Sequence, residues 1–193
     1  KETVNNSFNM ISVDGDTSTN DMVVIMANGL AQNPVITVDG EYYEEFKAAV
    51  NEVCITLAKL IAQDGEGATK LIEVQVKGAL SIEDARKAAL AICSSNLVKA
   101  AIFGEDANWG RIITALGYSG AEVDSDKVDV YLGDLLMAEN GTGLSFDEDK
   151  ASLILKEKEI ILAVDLKLGD YEAKSWGCDL SYDYVKINAA YRT

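Results

Sequence analysis

The chain contains no histidine. Its absence excludes Ser-His-Asp and Cys-His nucleophilic machinery and every histidine metal site. Any nucleophilic chemistry therefore needs another base. One solution is the α-amino group of an N-terminal threonine, serine or cysteine, and Lys1 is none of these. Cysteine is scarce. Cys54, Cys93 and Cys178 lie far apart and form no CxxC pair, which argues against structural zinc and for a reducing, cytoplasmic setting. Cys54 and Cys93 fall at apolar helical positions, as small core residues do. Basic charge is also short. There are 17 Lys and Arg against 32 Asp and Glu, for a formal net charge of −15. Nucleic acid and anionic membranes both require a basic stripe, so neither is an expected partner. An acidic field instead favours cationic small molecules, and at the least it keeps the protein soluble. No apolar run is long enough to cross a bilayer, and the start has no signal-peptide pattern.

What is present is a globular composition. Of the 193 residues, 48% are hydrophobic, enough to build a core in one large domain or two small ones. Residues 10–13 and 22–27 are short apolar runs that read as strands, joined by the polar segment Asp14–Asp21. The single proline, Pro34, and Gly40 mark loops around the run Val35–Val38. Phe46, Ala49, Val50, Val53, Cys54, Leu57, Leu60 and Ile61 recur every three or four residues, the stripe of an amphipathic helix. Gly65 and Gly67 follow its end. Ile72, Val74 and Val76 alternate with Glu73, Gln75 and Lys77, as in a half-exposed strand. Ser81 and Asp84 form a capping-box pattern before Ala85, Ala88, Ala89 and Ile92. Val98–Phe103 reads as a strand, Trp109–Leu116 as a short helix closed by Gly117, and Val128–Leu132 as a strand. Ser145 and Glu148 offer a cap for a helix reaching about Lys156. Glu159–Leu168 and Tyr171–Leu180 read as two strands of a hairpin turning at Gly169-Asp170. The last segment, from Trp176, is rich in aromatic and β-branched residues and reads as a strand or short helix docked into the fold. A soft boundary falls near residue 70. Residues 1–70 hold too few elements to close a core alone and read as one piece of a larger sandwich. Residues 71–193 read as an α+β unit.

Four polar stretches carry the chemical signals. Asp14-Gly15-Asp16-Thr17-Ser18-Thr19-Asn20-Asp21 invites a calcium-loop reading. That loop needs glycine at its sixth position and glutamate at its twelfth, where Thr19 and Ile25 stand. Turns in which short oxygen side chains accept backbone N–H groups fit better. Asp64-Gly65-Glu66-Gly67-Ala68-Thr69-Lys70 is no phosphate loop, because its glycines are one residue apart and Leu71 follows the lysine. A carboxylate between two glycines is well set to meet a ligand ammonium, although on the residues alone a solvated turn glutamate is the plainer explanation. In Gly104-Glu105-Asp106-Ala107-Asn108-Trp109-Gly110-Arg111, Asp106 serves as a helix cap, and Arg111 pairs with Glu105 or Asp106. Asn188 supplies donors and an acceptor near the end of the chain, and Thr193 supplies a hydroxyl and the α-carboxylate. Ordinary terminal polarity is the plain alternative.

These stretches, together with Ser7-Phe8-Asn9 and the closing run Trp176-Gly177-Cys178-Asp179 through Tyr191-Arg192-Thr193, occur in an order spanning nearly the whole chain. In that order they resemble the β-chain of ornithine acetyltransferase, a bifunctional enzyme family of arginine biosynthesis. The resemblance implies an α+β fold: a layered sandwich completed by an α-chain over residues 1–70, and a C-terminal α+β domain over 71–193 whose tail returns to the active site. It implies a precursor that cleaves itself before a threonine, the acetylated nucleophile. That threonine would lie upstream of Lys1, so no catalytic residue is expected in this chain, which alone should be inactive. Glu66 matches a substrate-binding glutamate of the family. Asn188 and Thr193 match its substrate-binding asparagine and terminal hydroxyl residue, whereas Ala190 stands where an acidic residue is expected.

The implied reaction moves acetyl from N²-acetylornithine to glutamate by a ping-pong route. It needs no metal or tightly held cofactor, and acetyl-CoA is a donor for some members. The implied partner is an α-chain from the same precursor, in an α2β2 assembly. Two other readings stay open on the residues alone: a self-cleaving amidase or aminopeptidase of related fold, and a non-catalytic binding subunit.

Overall fold

The computed structural model describes residues 1–190. The chain opens with a one-turn helix, α1 (Glu2–Asn5), and a 3-10 turn over Phe8–Met10. The further elements run β1 (Ile11–Ser12), α2 (Tyr43–Gln63), β2 (Leu71–Ala79), α3 (Ile82–Ser94), α4 (Asn96–Phe103), α5 (Trp109–Gly117), β3 (Asp129–Leu132), β4 (Leu135–Glu139), β5 (Thr142–Gly143), α6 (Glu148–Leu155), β6 (Glu159–Asp165), β7 (Tyr171–Cys178) and α7 (Tyr182–Ala190). The fold is α+β, as expected. Its strands form one mixed sheet of seven among the described residues, ordered β1-β7-β2-β6-β3-β4-β5.

β2 lies at the centre of this sheet. It pairs antiparallel with β7 on one side and parallel with β6 on the other. Its alternation holds in part: Gln75 is half-buried and Lys77 exposed as read, but Glu73 is buried along with Ile72, Val74 and Val76. Ile72, Val74 and Val76 belong to the core that takes in Ala85, Ala88, Ala89 and Ile92 of α3. Ser175 on β7 ties the sheet to that helix, its hydroxyl donating to the Ala89 carbonyl at 2.8 Å. On Glu73 four groups converge: Trp176 Nε1 at 2.8 Å, Gln75 Nε2 at 2.7 Å, Lys59 Nζ at 2.7 Å and Lys174 Nζ at 3.3 Å. Burial raises the Glu73 carboxyl, but these partners outweigh it and hold the group down at about 2.

Several local expectations are corrected. β6 and β7 are strands as read, yet they are not a hairpin, because β2 runs between them. Their connection wraps the far end of β2, with Leu166 N–H donating to the Lys77 carbonyl and Leu168 and Gly169 N–H to that of Gly78. Val98–Phe103 is helical. Ser95 accepts the Val98 N–H as N-cap, and Ser95, Val98, Lys99 and Ile102 are buried at helical spacing. α6 is capped by Asp147, which accepts the Lys150 N–H, and not by Ser145. α5 is capped by Asn108 and not by Asp106. Asp106 instead lies 3.8 Å from Arg111, while Glu105 pairs with Lys70 at 3.0 Å. Ser81 caps α3 as read, its hydroxyl accepting the Asp84 N–H at 3.1 Å, but the reciprocal half of the box is replaced by a bond from that hydroxyl to the Asp84 carboxylate at 2.8 Å.

The first 70 residues behave differently from the rest. Among them only Ser7, Met10, Ala58 and Ala62 are buried. Residues 22–27 form no strand, since no neighbouring strand offers the hydrogen bonds a strand needs; Met22, Ile25 and Met26 are 79–90% exposed. α2 is the helix the spacing calls for, but its apolar stripe faces away from the sheet. Ile55, Ala58 and Ala62 turn inward, whereas Phe46, Val53, Leu57, Leu60 and Ile61 are exposed.

Candidate functional site

Sheet pairing brings the site together. β2 and β7 are antiparallel neighbours in which Leu71 faces Cys178. The turn that enters β2, residues 64–70, therefore lies beside the segment that leaves β7 for α7. That turn carries Glu66, and α7 carries Asn188. Their side chains meet: Asn188 Nδ2 donates to Glu66 Oε2 at 2.6 Å across 122 positions of sequence. Thr193 lies outside the described residues.

α7 presents a defined face to the turn. Tyr184 and Asn188 are four residues apart and so project from the same side. Asn188 Nδ2 also donates to the Tyr184 carbonyl at 3.0 Å, which uses both amide hydrogens. The acceptors left for a ligand are then the Asn188 carbonyl oxygen and the second Glu66 oxygen. Tyr184 Oη donates to Asp14 Oδ2 at 2.9 Å. That bond and the surrounding carboxylates of Asp14, Asp16 and Glu66 raise the Tyr184 phenol above its ordinary value. The segment Asp14–Asp21 thus adjoins the site through its first residue. Its other oxygens close turns as expected: Asp16 N–H donates to Asp14, Ser18 N–H to Asp21 and Asn20 N–H to Ser18.

Backbone proximity demands glycine in the turn. Gly67 has φ +68°, and a Cβ there would stand 2.6 Å from the Tyr184 nitrogen. A Cβ on Gly65 would stand 2.8 Å from Cys178 Sγ. The two glycines that frame Glu66 therefore let the turn lie directly against β7 and α7. Below the turn, the amine of the buried Lys99 donates to the Cys178 carbonyl and lies 3.6 Å from its sulfur. Burial pushes both the Cys93 thiol, to about 11, and the Cys178 thiol up.

Two residues of this arrangement have no forewarning in the sequence reading, Asp179 and Ser181. Their partners are 109 to 114 positions away. Ser181 alone carries a local signal, as a hydroxyl just ahead of a helix.

Chemically, the site offers a carboxylate oriented by an amide, in a locally acidic surface. This suits an ammonium group. Both residues are exposed, and an exposed ion pair contributes only ~0–1 kcal/mol. Firm recognition thus requires further surface to exclude water from Glu66.

The model of the ArgJ family matches residues 1–193, the whole chain. The chain belongs to the ArgJ family. Among its relatives, the "Arginine biosynthesis bifunctional protein ArgJ" of Symbiobacterium thermophilum is 61% identical over 193 residues. The match takes in 100% of this chain and 48% of that protein. The protein of the same description from Geobacillus stearothermophilus is 56% identical over 97% of this chain and 46% of its own length. This ArgJ-family chain therefore spans about half the length of the curated relatives it matches. A crystal structure of the arginine biosynthesis bifunctional protein ArgJ from Bacillus halodurans superimposes with a TM-score of 0.96 at 49% identity. It covers 98% of this chain and 90% of that one. The resemblance read from the motifs is thereby established at the level of the family and of the fold. Among the described residues no helix is long and apolar enough to cross a membrane.

Proposed function

We propose that this chain is the substrate-recognition half of an acetyltransferase that moves acetyl from N²-acetylornithine to glutamate. The observation that carries the reading is the Glu66–Asn188 contact at 2.6 Å, which joins two of the three site residues the family resemblance implies. In this reading Glu66 receives the ammonium of the amino-acid substrate. Asn188 and Thr193 contact its other end. Membership of the ArgJ family and the naming of the relatives for arginine biosynthesis support the same reaction.

In this reading, as the family resemblance implies, the acyl group passes through a threonine whose own α-amine acts as base, a route that asks nothing of the histidine this chain lacks. That threonine is supplied from outside these 193 residues, and the oxyanion donors come from a partner α-chain. Acetyl is transferred to the threonine, ornithine departs, and the amine of glutamate then attacks the acyl-enzyme. No metal or tightly held cofactor enters these steps, and acetyl-CoA is an alternative donor. The scattered, unpaired cysteines favour a reducing, cytoplasmic setting for the enzyme.

The partner is argued from the first 70 residues. The exposed stripe of α2 and the segment Met22–Val24 flank an open, mainly apolar cleft of about 730 Å³, lined by Phe8, Met22, Val24, Leu57, Leu60 and Ile61. A face of this kind calls for covering. The α-chain would cover it, with two copies of each chain assembling, and would also desolvate Glu66.

The test is acetyl transfer from N²-acetylornithine to glutamate by this chain combined with the other half of the relatives' length. Glu66→Gln should raise KM strongly or cut kcat/KM. KM and kcat/KM both unchanged would remove Glu66 from the site. Hydrolysis without transfer would instead favour an amidase.

A further inference from the structure

Beyond Leu71 and Cys178 the β2–β7 pairing ends. Past that point the turn carrying Glu66 and the helix carrying Asn188 would be free to diverge, yet they stay in register. The contacts that hold them there come chiefly from Asp179. Its carboxylate, on a residue only 3% exposed, accepts three hydrogen bonds from the end of the Glu66 turn. Thr69 N–H donates to Oδ1 at 2.7 Å, Lys70 N–H to Oδ1 at 2.9 Å, and Thr69 Oγ1 to Oδ2 at 2.5 Å. The Asp179 N–H in turn donates to the Lys70 carbonyl at 3.2 Å. Ser181 adds one further tie: its hydroxyl donates to the Gly67 carbonyl at 2.5 Å and accepts the Asp183 and Tyr184 N–H groups that open α7. On the far side of the segment, the Lys99 amine holds the Cys178 carbonyl and the Lys99 carbonyl accepts the Leu180 N–H.

We infer that Asp179 is a positioning residue of the recognition site, fixing the Glu66 turn to the root of α7 so that the Glu66 carboxylate and the Asn188 amide are preorganised for one ligand. The inference rests on the role proposed above for Glu66 and deepens it. The physical argument is one of directness. All three donors to Asp179 lie within four residues of Glu66, and the residue two positions after Asp179 caps the helix that bears Asn188. A carboxylate accepting several backbone and hydroxyl donors in a buried position is a stiff joint, because each bond removed leaves an unsatisfied group. Loosening that joint moves Glu66 relative to Asn188, and small misplacements in a recognition site are costly.

The experiment is a double-mutant cycle in the complete enzyme, this chain together with the other half of the relatives' length. KM for the amino-acid substrates is the readout, since the folded fraction does not alter it. Asp179→Ala should raise KM about tenfold or more. Asp179→Asn keeps the shape and one acceptor, so it should restore most of the affinity. Glu66→Gln combined with Asp179→Ala should give a KM within about threefold of Glu66→Gln alone, because Asp179 acts through Glu66. If Asp179→Ala does not accumulate, the same cycle is run with Thr69→Val, which removes the hydroxyl bond to Asp179 Oδ2 and should raise KM about threefold or more.

A KM unchanged in Asp179→Ala, or in Thr69→Val where that stands in for it, with only thermal stability lost, overturns the inference while leaving the role of Glu66 intact. Effects of Glu66 and Asp179 that multiply overturn it as well. KM and kcat/KM both unchanged in Glu66→Gln overturn the recognition reading itself, and the role of Asp179 falls with it.

Discussion

Gly67 and Tyr184 touch backbone to backbone: a Cβ at Gly67 would lie 2.6 Å from the Tyr184 nitrogen and 2.9 Å from the Asp183 carbonyl carbon. No flexible side chain stands between the Glu66 turn and α7 to absorb a change. Gly67 also sits at φ +68°, where an L side chain costs about 1–2 kcal/mol. Gly67→Ala is therefore expected to push α7 from the turn and part Asn188 from Glu66. In the complete enzyme KM should rise by about tenfold or more, an effect that lost thermal stability by itself would not produce. A wild-type KM in Gly67→Ala would show that α7 does not depend on this contact.

A second expectation concerns acid. The Glu73 carboxyl is held at about 2 in the folded protein, against an ordinary value near 4.5. A depressed carboxyl contributes stability that is fully present above its unfolded value and is lost as pH falls through the folded one. The loss should thus run from about pH 4.5 down to about pH 2. Glu73→Gln leaves Lys59 and Lys174 without their partner and should cost about 1–3 kcal/mol at neutral pH. It should also flatten the dependence of denaturant midpoint on pH within that window. Parallel curves for the wild type and Glu73→Gln would contradict the assignment.

The thiols give a third test. Burial lifts Cys93 to about 11 and raises Cys178 in the same direction. The thiolate is the reactive form, and both sulfurs are shielded. Neither should react with a thiol reagent at pH 8 in the native protein, whereas all three free cysteines should react after unfolding in guanidinium. Rapid native modification of Cys93 would place it outside the core.

A fourth prediction addresses the uncovered face. Leu57, Leu60 and Ile61 are about half exposed, and Met22 and Ile25 still more so. The isolated chain should bind a hydrophobic dye and self-associate, and addition of the other half should abolish both. Leu60→Glu with Ile61→Glu should weaken that association by about tenfold or more. It should leave the thermal transition of the isolated chain little changed, because neither side chain joins the core around β2. A monodisperse chain that binds no dye would contradict this surface.

Much of the local structure was legible from residue order. The helix over 43–63, the caps at Ser81, and the strands over 71–79, 129–132, 159–165 and 171–178 follow from spacing and capping chemistry alone. The failures share a cause. Val98–Phe103 is short and apolar throughout, so its period is ambiguous, and the N-cap at Ser95 decided for a helix. The hairpin reading failed because adjacency in sequence does not reveal a third strand inserted between two others. The stripe on α2 was correct as a pattern, but a periodic apolar face does not say which surface it meets, and here it turns from the sheet.

Glu66 and Asn188 could be singled out one at a time, both by the family resemblance, since on its glycines alone Glu66 reads as a solvated turn residue. Their meeting was not legible, because it depends on β2 and β7 being antiparallel neighbours with Leu71 opposite Cys178. Asp179 was invisible for the same reason: an aspartate after a strand has no special look until Thr69 and Lys70 are seen to donate to it. Residue order alone determined the absence of histidine chemistry, the acidic character and the family. The tertiary structure decided which distant polar groups share a site and which apolar face is left uncovered. Hydrogen bonds and burial join groups close in space, and only the pairing of the sheet makes positions 66, 179 and 188 neighbours.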